Sequence, residues 1–220
     1  MNLVIDSDIL FPVNKSYAII LSSPHLLYNE YGHLIDEHDY VIRFNFAPTI
    51  DFEKYVGTKT THRLLGGCNG QATYYRENQD IKVIRWYTIN NSNSQKYIEQ
   101  DLINMGKFPS FFNNFHYFPC SSFQHNAGYK ILSSMPLENR TINIFGYTEN
   151  RNYKRYHYYN ESKNIENAKK IIDKYGIKNP WDCIRNSASK NRAYHNHNYT
   201  ETYNLTKKLN SENKINIIKG

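Results

Sequence analysis

Apolar residues fall along this chain in short, nearly unbroken runs closed by polar and turn-forming residues. Tyr17-Ala18-Ile19-Ile20-Leu21 stops at Ser22-Ser23-Pro24, and Tyr40-Val41-Ile42-Arg43-Phe44 stops at Asn45, with Pro48 just beyond. Runs of this length, rich in β-branched and aromatic residues, predict strands buried on both faces. Residues 81–87, 115–118 and 141–147 have the same character. Between them the period lengthens. Tyr97 to Met105 carries apolar residues at 98, 102, 103 and 105, Gly128 to Met135 is a second helical pattern, and Ile165 to Tyr175 ends at Gly176, a C-cap. Strands alternating with helices imply an α/β fold, a mostly parallel sheet flanked by helices. The expectation is one domain over residues 1–220, with 1–16 as an N-terminal extension. In such sheets ligands bind beyond the C-terminal ends of the strands, which singles out Ser22, Ser23, Asn45 and Tyr147.

Composition narrows the class. A chain of 220 residues that is 40% hydrophobic and 21% charged can bury a core and is not disordered throughout. Twenty tyrosines suit half-buried packing first, and sugar or base stacking second. The net charge of +7 admits nucleic acid, membrane headgroups or phosphorylated small molecules as partners. No like-charge run reaches five residues, so the excess is spread and does not form a nucleic-acid footprint. Cys68, Cys120 and Cys183 are odd in number and far apart, against a disulfide framework or zinc knuckle and in keeping with a reducing compartment. The first ten residues lack a basic segment and are interrupted by Asp6 and Asp8, unlike a secretory signal. No apolar stretch approaches the roughly 18 residues of a membrane span. The expected location is cytoplasmic as written, with a Golgi-type location only if a leader has been removed.

Three constellations carry possible chemistry. Asp6-Ser7-Asp8 has the form of a metal-binding DxD pair, but its place before the first strand makes it a solvated terminus. His195-Asn196-His197 lacks a third ligand at a suitable spacing, so no metal site is expected; its imidazoles suit general-base work near neutral pH. His157, within Tyr156-His157-Tyr158-Tyr159, is another such group. Composition alone favours the plainer reading of these histidines, hydrogen bonding within a polar surface. Asn126-Ala127-Gly128 opens a helical run, reads as an uncapped N-terminus and offers N–H groups to an anion, a feature every helix shares.

The densest pattern runs from Tyr31-Gly32 through Ile35-Asp36-Glu37-His38-Asp39-Tyr40-Val41-Ile42-Arg43-Phe44-Asn45-Phe46-Ala47-Pro48-Thr49 and Phe52-Glu53 to Val56-Gly57-Thr58-Lys59-Thr60-Thr61-His62-Arg63. It resembles the large sialylmotif of glycosyltransferase family 29, the eukaryotic-type sialyltransferases. Gly128 and Phe145-Gly146-Tyr147 stand at the spacing of the small motif, His157-Tyr158-Tyr159-Asn160 at that of the third, and His197 near the end at that of the fourth. Departures accompany the likeness. The family's leading cysteine is Tyr17 here and its disulfide partner is Asn139, its Gly-Asn-Ser-Gly is Leu21-Ser22-Ser23-Pro24, and its Ser-Thr-Gly helix start is Asn126-Ala127-Gly128. Glu201 lies four residues after His197 and six after His195, where the family spaces five, so either histidine fits the base.

The resemblance implies a GT-A-like, Rossmann-type sheet and an inverting transfer of sialic acid from CMP-sialic acid to a glycan hydroxyl, with no metal and no cofactor. It implies catalytic roles for His197, His195 and His157, the last at the leaving phosphate. It implies donor binding by Ser22, Ser23, Asn45, Asn126, Ala127, Gly128 and Tyr147. The partners are then a CMP-sugar and a glycan, not nucleic acid. Rival expectations are another CMP-nonulosonic acid such as CMP-Kdo as donor, or a catalytically silent CMP- or glycan-binding homologue.

Overall fold

The apolar runs pair side by side, and every pairing is parallel. The computed structural model describes residues 7–45, 47–65, 81–87, 115–119, 126–148, 157–158 and 199–219. In chain order, helix α1 (Ser7–Leu10) precedes strand β1 (Lys15–Ile20), a 3-10 turn (Pro24–Tyr28) and α2 (Gly32–Asp36). Strand β2 (Tyr40–Phe44), helix α3 (Glu53–Val56) and strand β3 (His62–Leu65) follow, then β4 (Lys82–Tyr87) and β5 (Phe115–Pro119). Helix α4 (Ala127–Ser134), β6 (Arg140–Phe145), α5 (Tyr199–Ser211) and β7 (Asn216–Ile217) complete the described elements. The five expected strands are all present. The helices expected over 97–105 and 165–175 lie outside the described residues, as do the three cysteines.

The sheet order is β5-β4-β3-β2-β1-β6-β7. The chain therefore winds outward from β1 to one edge and returns to build the other side from β6. The reversal falls between β1 and β6, whose crossovers pack on opposite faces, and in open sheets of this kind such a switch point is where ligands bind.

Both faces are covered. On one, Tyr17, Ile19, Ile42, Leu64, Ile142 and Ile144 pack with Leu10 and Phe11, with Ile131 and Leu132 of α4 and with Leu209 of α5. On the other, Ala18, Ile20, Val41 and Phe145 meet Leu26 of the 3-10 turn, Ile35 of α2 and Val56 of α3. Double coverage is why β1 reads as an unbroken apolar run. Within the stretch expected as an extension, Leu10 and Phe11 are fully buried, and β1 itself begins at Lys15. Tyr17, at the family's cysteine position, stacks on Tyr40 and donates its hydroxyl to the Pro12 carbonyl at 2.6 Å.

Beyond the short α1, α2 and α3, the 3-10 turn and β7, two further unexpected elements have an evident physical origin. Strand β3 was not anticipated because half of it is polar, yet all four of its residues are buried. His62 Nε2 meets the Leu10 carbonyl at 2.8 Å and Arg63 Nη1 donates to that of Ala47 at 2.8 Å, so the hydrogen bonds offset the cost of burial. Helix α5 forms within the Asn- and Lys-rich tail, using Thr206 and Leu209 as its buried positions.

Candidate active site

Leu21, the residue after β1, lies between the two elements that follow the reversal. Its N–H donates to the Phe145 carbonyl at 3.0 Å, holding the end of β1 against β6. Gly146 then turns the chain with φ +75°, and a Cβ there would lie 2.8 Å from the Leu21 carbonyl oxygen. Only glycine fits that turn, since both the backbone conformation and the space exclude a side chain. Gly128 brings the first turn of α4 onto the same point: a Cβ on it would lie 3.3 Å from Leu21 Cδ2 and 3.5 Å from Thr202 Cγ2 of α5. Ser22, Gly128, Gly146 and the start of α5 are thus gathered above β1 and β6.

The start of α4 is capped, contrary to the expectation from its sequence. Asn126 Oδ1 accepts from the Tyr129 N–H at 3.0 Å, an N-cap whose geometry the dipeptide before Gly128 did not reveal. The cap occupies the Tyr129 N–H, and those of Ala127 and Gly128 come before it in the first turn. Ser23 is also a cap: its Oγ accepts from the His25 N–H at 3.2 Å at the start of the 3-10 turn.

Tyr147 follows Gly146, and its ring stacks on Tyr203 of α5 with centroids 5.7 Å apart and an interplanar angle of 17°. One face of the ring is therefore committed to α5. Asn45 ends β2 in the left-handed region, φ +46°, and its N–H donates to the Leu64 carbonyl at 2.8 Å.

His157 is carried to the same region by its neighbour. The Tyr158 N–H donates to the Ser22 carbonyl at 3.1 Å, and the Tyr158 hydroxyl donates to the Pro48 carbonyl at 2.5 Å. The histidine at 157 therefore stands by the ends of β1 and β2. His195 and His197 lie outside the described residues; the described chain resumes at Tyr199, with Thr202 and Tyr203 against Gly128 and Tyr147. Asp8 sits far from this cluster, paired at 2.5 Å with Arg140 at the start of β6, the opposite end of the sheet; Asp6 lies outside the described residues. Among the described residues, no group of three or more His, Cys, Asp or Glu side chains could hold a metal ion.

The family model for glycosyltransferase family 29 (sialyltransferase) matches residues 15–133, more than half of the chain and the part that builds β1 to α4. The chain belongs to glycosyltransferase family 29. Within the family it is similar to a zebrafish (Danio rerio) beta-galactoside alpha-2,6-sialyltransferase 2, with 34% identity over 93 residues covering 38% of this chain and 18% of that protein. It is also similar to a human CMP-N-acetylneuraminate-beta-galactosamide-alpha-2,3-sialyltransferase 1, with 52% identity over 48 residues covering 22% of this chain and 14% of that protein. The matched stretches thus span less than a fifth of these curated relatives. A crystal structure of a mammalian sialyltransferase superimposes with a TM-score of 0.52 at 20% identity, covering 94% of this chain and 69% of that one. At that identity the likeness shows the fold, which is the GT-A-like, Rossmann-type sheet of the family.

Tyr158 lies within the third motif with no role implied for it by sequence, and two arginines in the dense pattern likewise have none. Arg43 is wholly enclosed, its Nη2 donating to the carbonyls of Val56 at 2.6 Å and Lys59 at 2.9 Å and its Nε to Thr60 Oγ1 at 2.9 Å. Burial lowers its guanidinium to about 10, so it stays charged at neutral pH. Arg63 stands beside it in register across β2 and β3. The available signal was an arginine at an inward position of a buried strand, which must find acceptors. Among the described residues no helix is long and apolar enough to cross a membrane.

Proposed function

We propose that this chain is an inverting glycosyltransferase moving sialic acid from CMP-sialic acid to a glycan hydroxyl. The supporting observation is the convergence of Ser22, Gly128, Tyr147 and His157 at the sheet reversal, made by the Tyr158 N–H on the Ser22 carbonyl. A crevice at that point suits a nucleotide.

The reaction needs a base for the acceptor hydroxyl, a place for the departing phosphate and a hold on cytidine and ribose. His197 takes the proton, with His195 as the competing base, since neutral imidazole suits that task near pH 7. His157 and the N–H groups of Ala127 and Gly128, framed by Asn126, stabilise the phosphate charge released with CMP. A single phosphate carries less charge than a diphosphate, so these donors suffice without a metal or other cofactor. Asn45 holds the nucleotide by its amide, Ser22 and Ser23 complete the hold as shorter substitutes, and Tyr147 lies against nucleotide or sugar.

The test is CMP release from CMP-sialic acid with a galactose-terminated acceptor, the sugar that the relatives' names carry, with CMP-Kdo in parallel and with EDTA added. Release dependent on acceptor and CMP-sialic acid, unchanged by EDTA, is the expected result. Release from CMP-Kdo alone would replace the donor, and CMP binding without any release would make the chain a silent binding homologue.

A further inference from the structure

Asn45 sits in the left-handed region, φ +46°, which Asn enters more readily than most L-residues, and its neighbours hold the turn there. The backbone supplies two restraints. The Asn45 N–H donates to the Leu64 carbonyl at 2.8 Å, and the Ala47 N–H donates to the Phe44 carbonyl at 3.1 Å. Two side chains then grip the next two carbonyls from opposite sides of the chain's length. Arg63 Nη1, from β3, donates to the Ala47 carbonyl at 2.8 Å, and the Tyr158 hydroxyl donates to the Pro48 carbonyl at 2.5 Å.

We propose that Arg63 and Tyr158 are positioning residues that clamp the turn after β2 in the one shape that presents Asn45 to the donor nucleotide. The inference rests on the donor reading above and deepens it. Tyr158 links three parts of the site at once: its N–H holds Ser22 at the end of β1, its hydroxyl holds the Asn45 turn, and the residue before it is His157. Its ring cannot swing away. It is 2% exposed, and Phe52 meets it edge-on at 5.1 Å and 76°. Burial pushes its phenol up to about 12, so the proton that serves Pro48 stays in place at any working pH. Arg63 is 5% exposed. Burying a guanidinium in a strand is a poor way to add stability, because its desolvation offsets the contacts it makes. Gripping a carbonyl in a fixed direction is something an apolar side chain cannot do.

The experiment measures the Kd for CMP, the donor KM and kcat, and the melting temperature. It compares the full chain with Tyr158→Phe, Arg63→Met, Arg63→Lys and Asn45→Gly, and with Asn45→Gly/Tyr158→Phe. Asn45→Gly removes the amide while suiting the left-handed backbone. Tyr158→Phe keeps the ring and loses only the hydroxyl, so it folds even if Arg63→Met, which strands a buried carbonyl, does not. The expected result is a roughly tenfold weaker CMP affinity in Tyr158→Phe, with donor KM rising more than kcat falls. Arg63→Met follows the same split, and Arg63→Lys recovers part of it. In the Asn45→Gly background, Tyr158→Phe adds less than about twofold, because the group it positions is gone. A CMP Kd for Tyr158→Phe within about twofold of the parent overturns the clamp, as does the full loss repeated on top of Asn45→Gly. If the unaltered chain binds no CMP, the donor reading itself fails, and that single measurement separates the two failures.

Discussion

His62 is fully enclosed in β3, between the Leu10 carbonyl at 2.8 Å from Nε2 and Thr61 Oγ1 at 2.9 Å from Nδ1. Burial lowers its imidazole from the ordinary 6.5 to about 4, with smaller contributions from Lys82 and His116, so the ring is neutral at pH 7. The unfolded chain takes up this proton near 6.5 and the folded chain only near 4. Stability is therefore complete above that window and falls as pH drops through it, by on the order of 3 kcal/mol for this one group. Thermal melts from pH 7 to pH 4.5 should show the decline, and His62→Gln, which keeps a donor for Leu10, should flatten it. If His197 is the base as proposed, His197→Ala should lower transfer by about a hundredfold or more. Near-normal turnover in that protein, with His195→Ala inactive, would reverse the assignment of the base. The places of Ser22, Asn45 and Tyr147 just beyond β1, β2 and β6 were legible from the sequence. Arg63 and Tyr158 were not, because their partners are carbonyls 16 and 110 positions away.

At the scale of the element, α4 carries the clearest test of the phosphate site. Asn126→Asp preserves the cap on Tyr129, since Asp and Asn cap about equally well, and it places a negative charge where the phosphate is proposed to dock. The melting temperature should stay nearly constant while CMP affinity falls several-fold in titration calorimetry; equal affinity would move the phosphate elsewhere. The turn after β6 makes a complementary prediction about folding. Gly146→Ala would force a Cβ to 2.8 Å from the Leu21 carbonyl at φ +75°, and should lower the melting temperature by roughly 5 °C. Strands β1 and β2 announced themselves because both faces are covered by apolar groups. Strand β3 did not, because His62 and Arg63 are buried through hydrogen bonds, which hydrophobic periodicity does not register.

For the whole molecule, the order β5-β4-β3-β2-β1-β6-β7 brings residues near positions 22, 45, 128, 147 and 157 to one end of the sheet and leaves the Asp8–Arg140 pair at the other. A nucleotide bound at the reversal would tie both halves of the winding together. CMP at about a hundred times its Kd should then raise stability by ~2.7 kcal/mol, visible as a shift of several degrees in the melting temperature. No shift at saturating CMP would count against a nucleotide site. The succession of strands and helices, the family likeness and the list of polar residues after strands all followed from the order of side chains, because local periodicity and turn chemistry act over a few neighbouring residues. Which strands became neighbours, where the winding reversed, and that Tyr158 and Arg63 meet the Asn45 turn were decided only by tertiary packing. Such contacts join positions far apart in the chain, and their energies come from burial and hydrogen bonds that exist only once the sheet has closed around them.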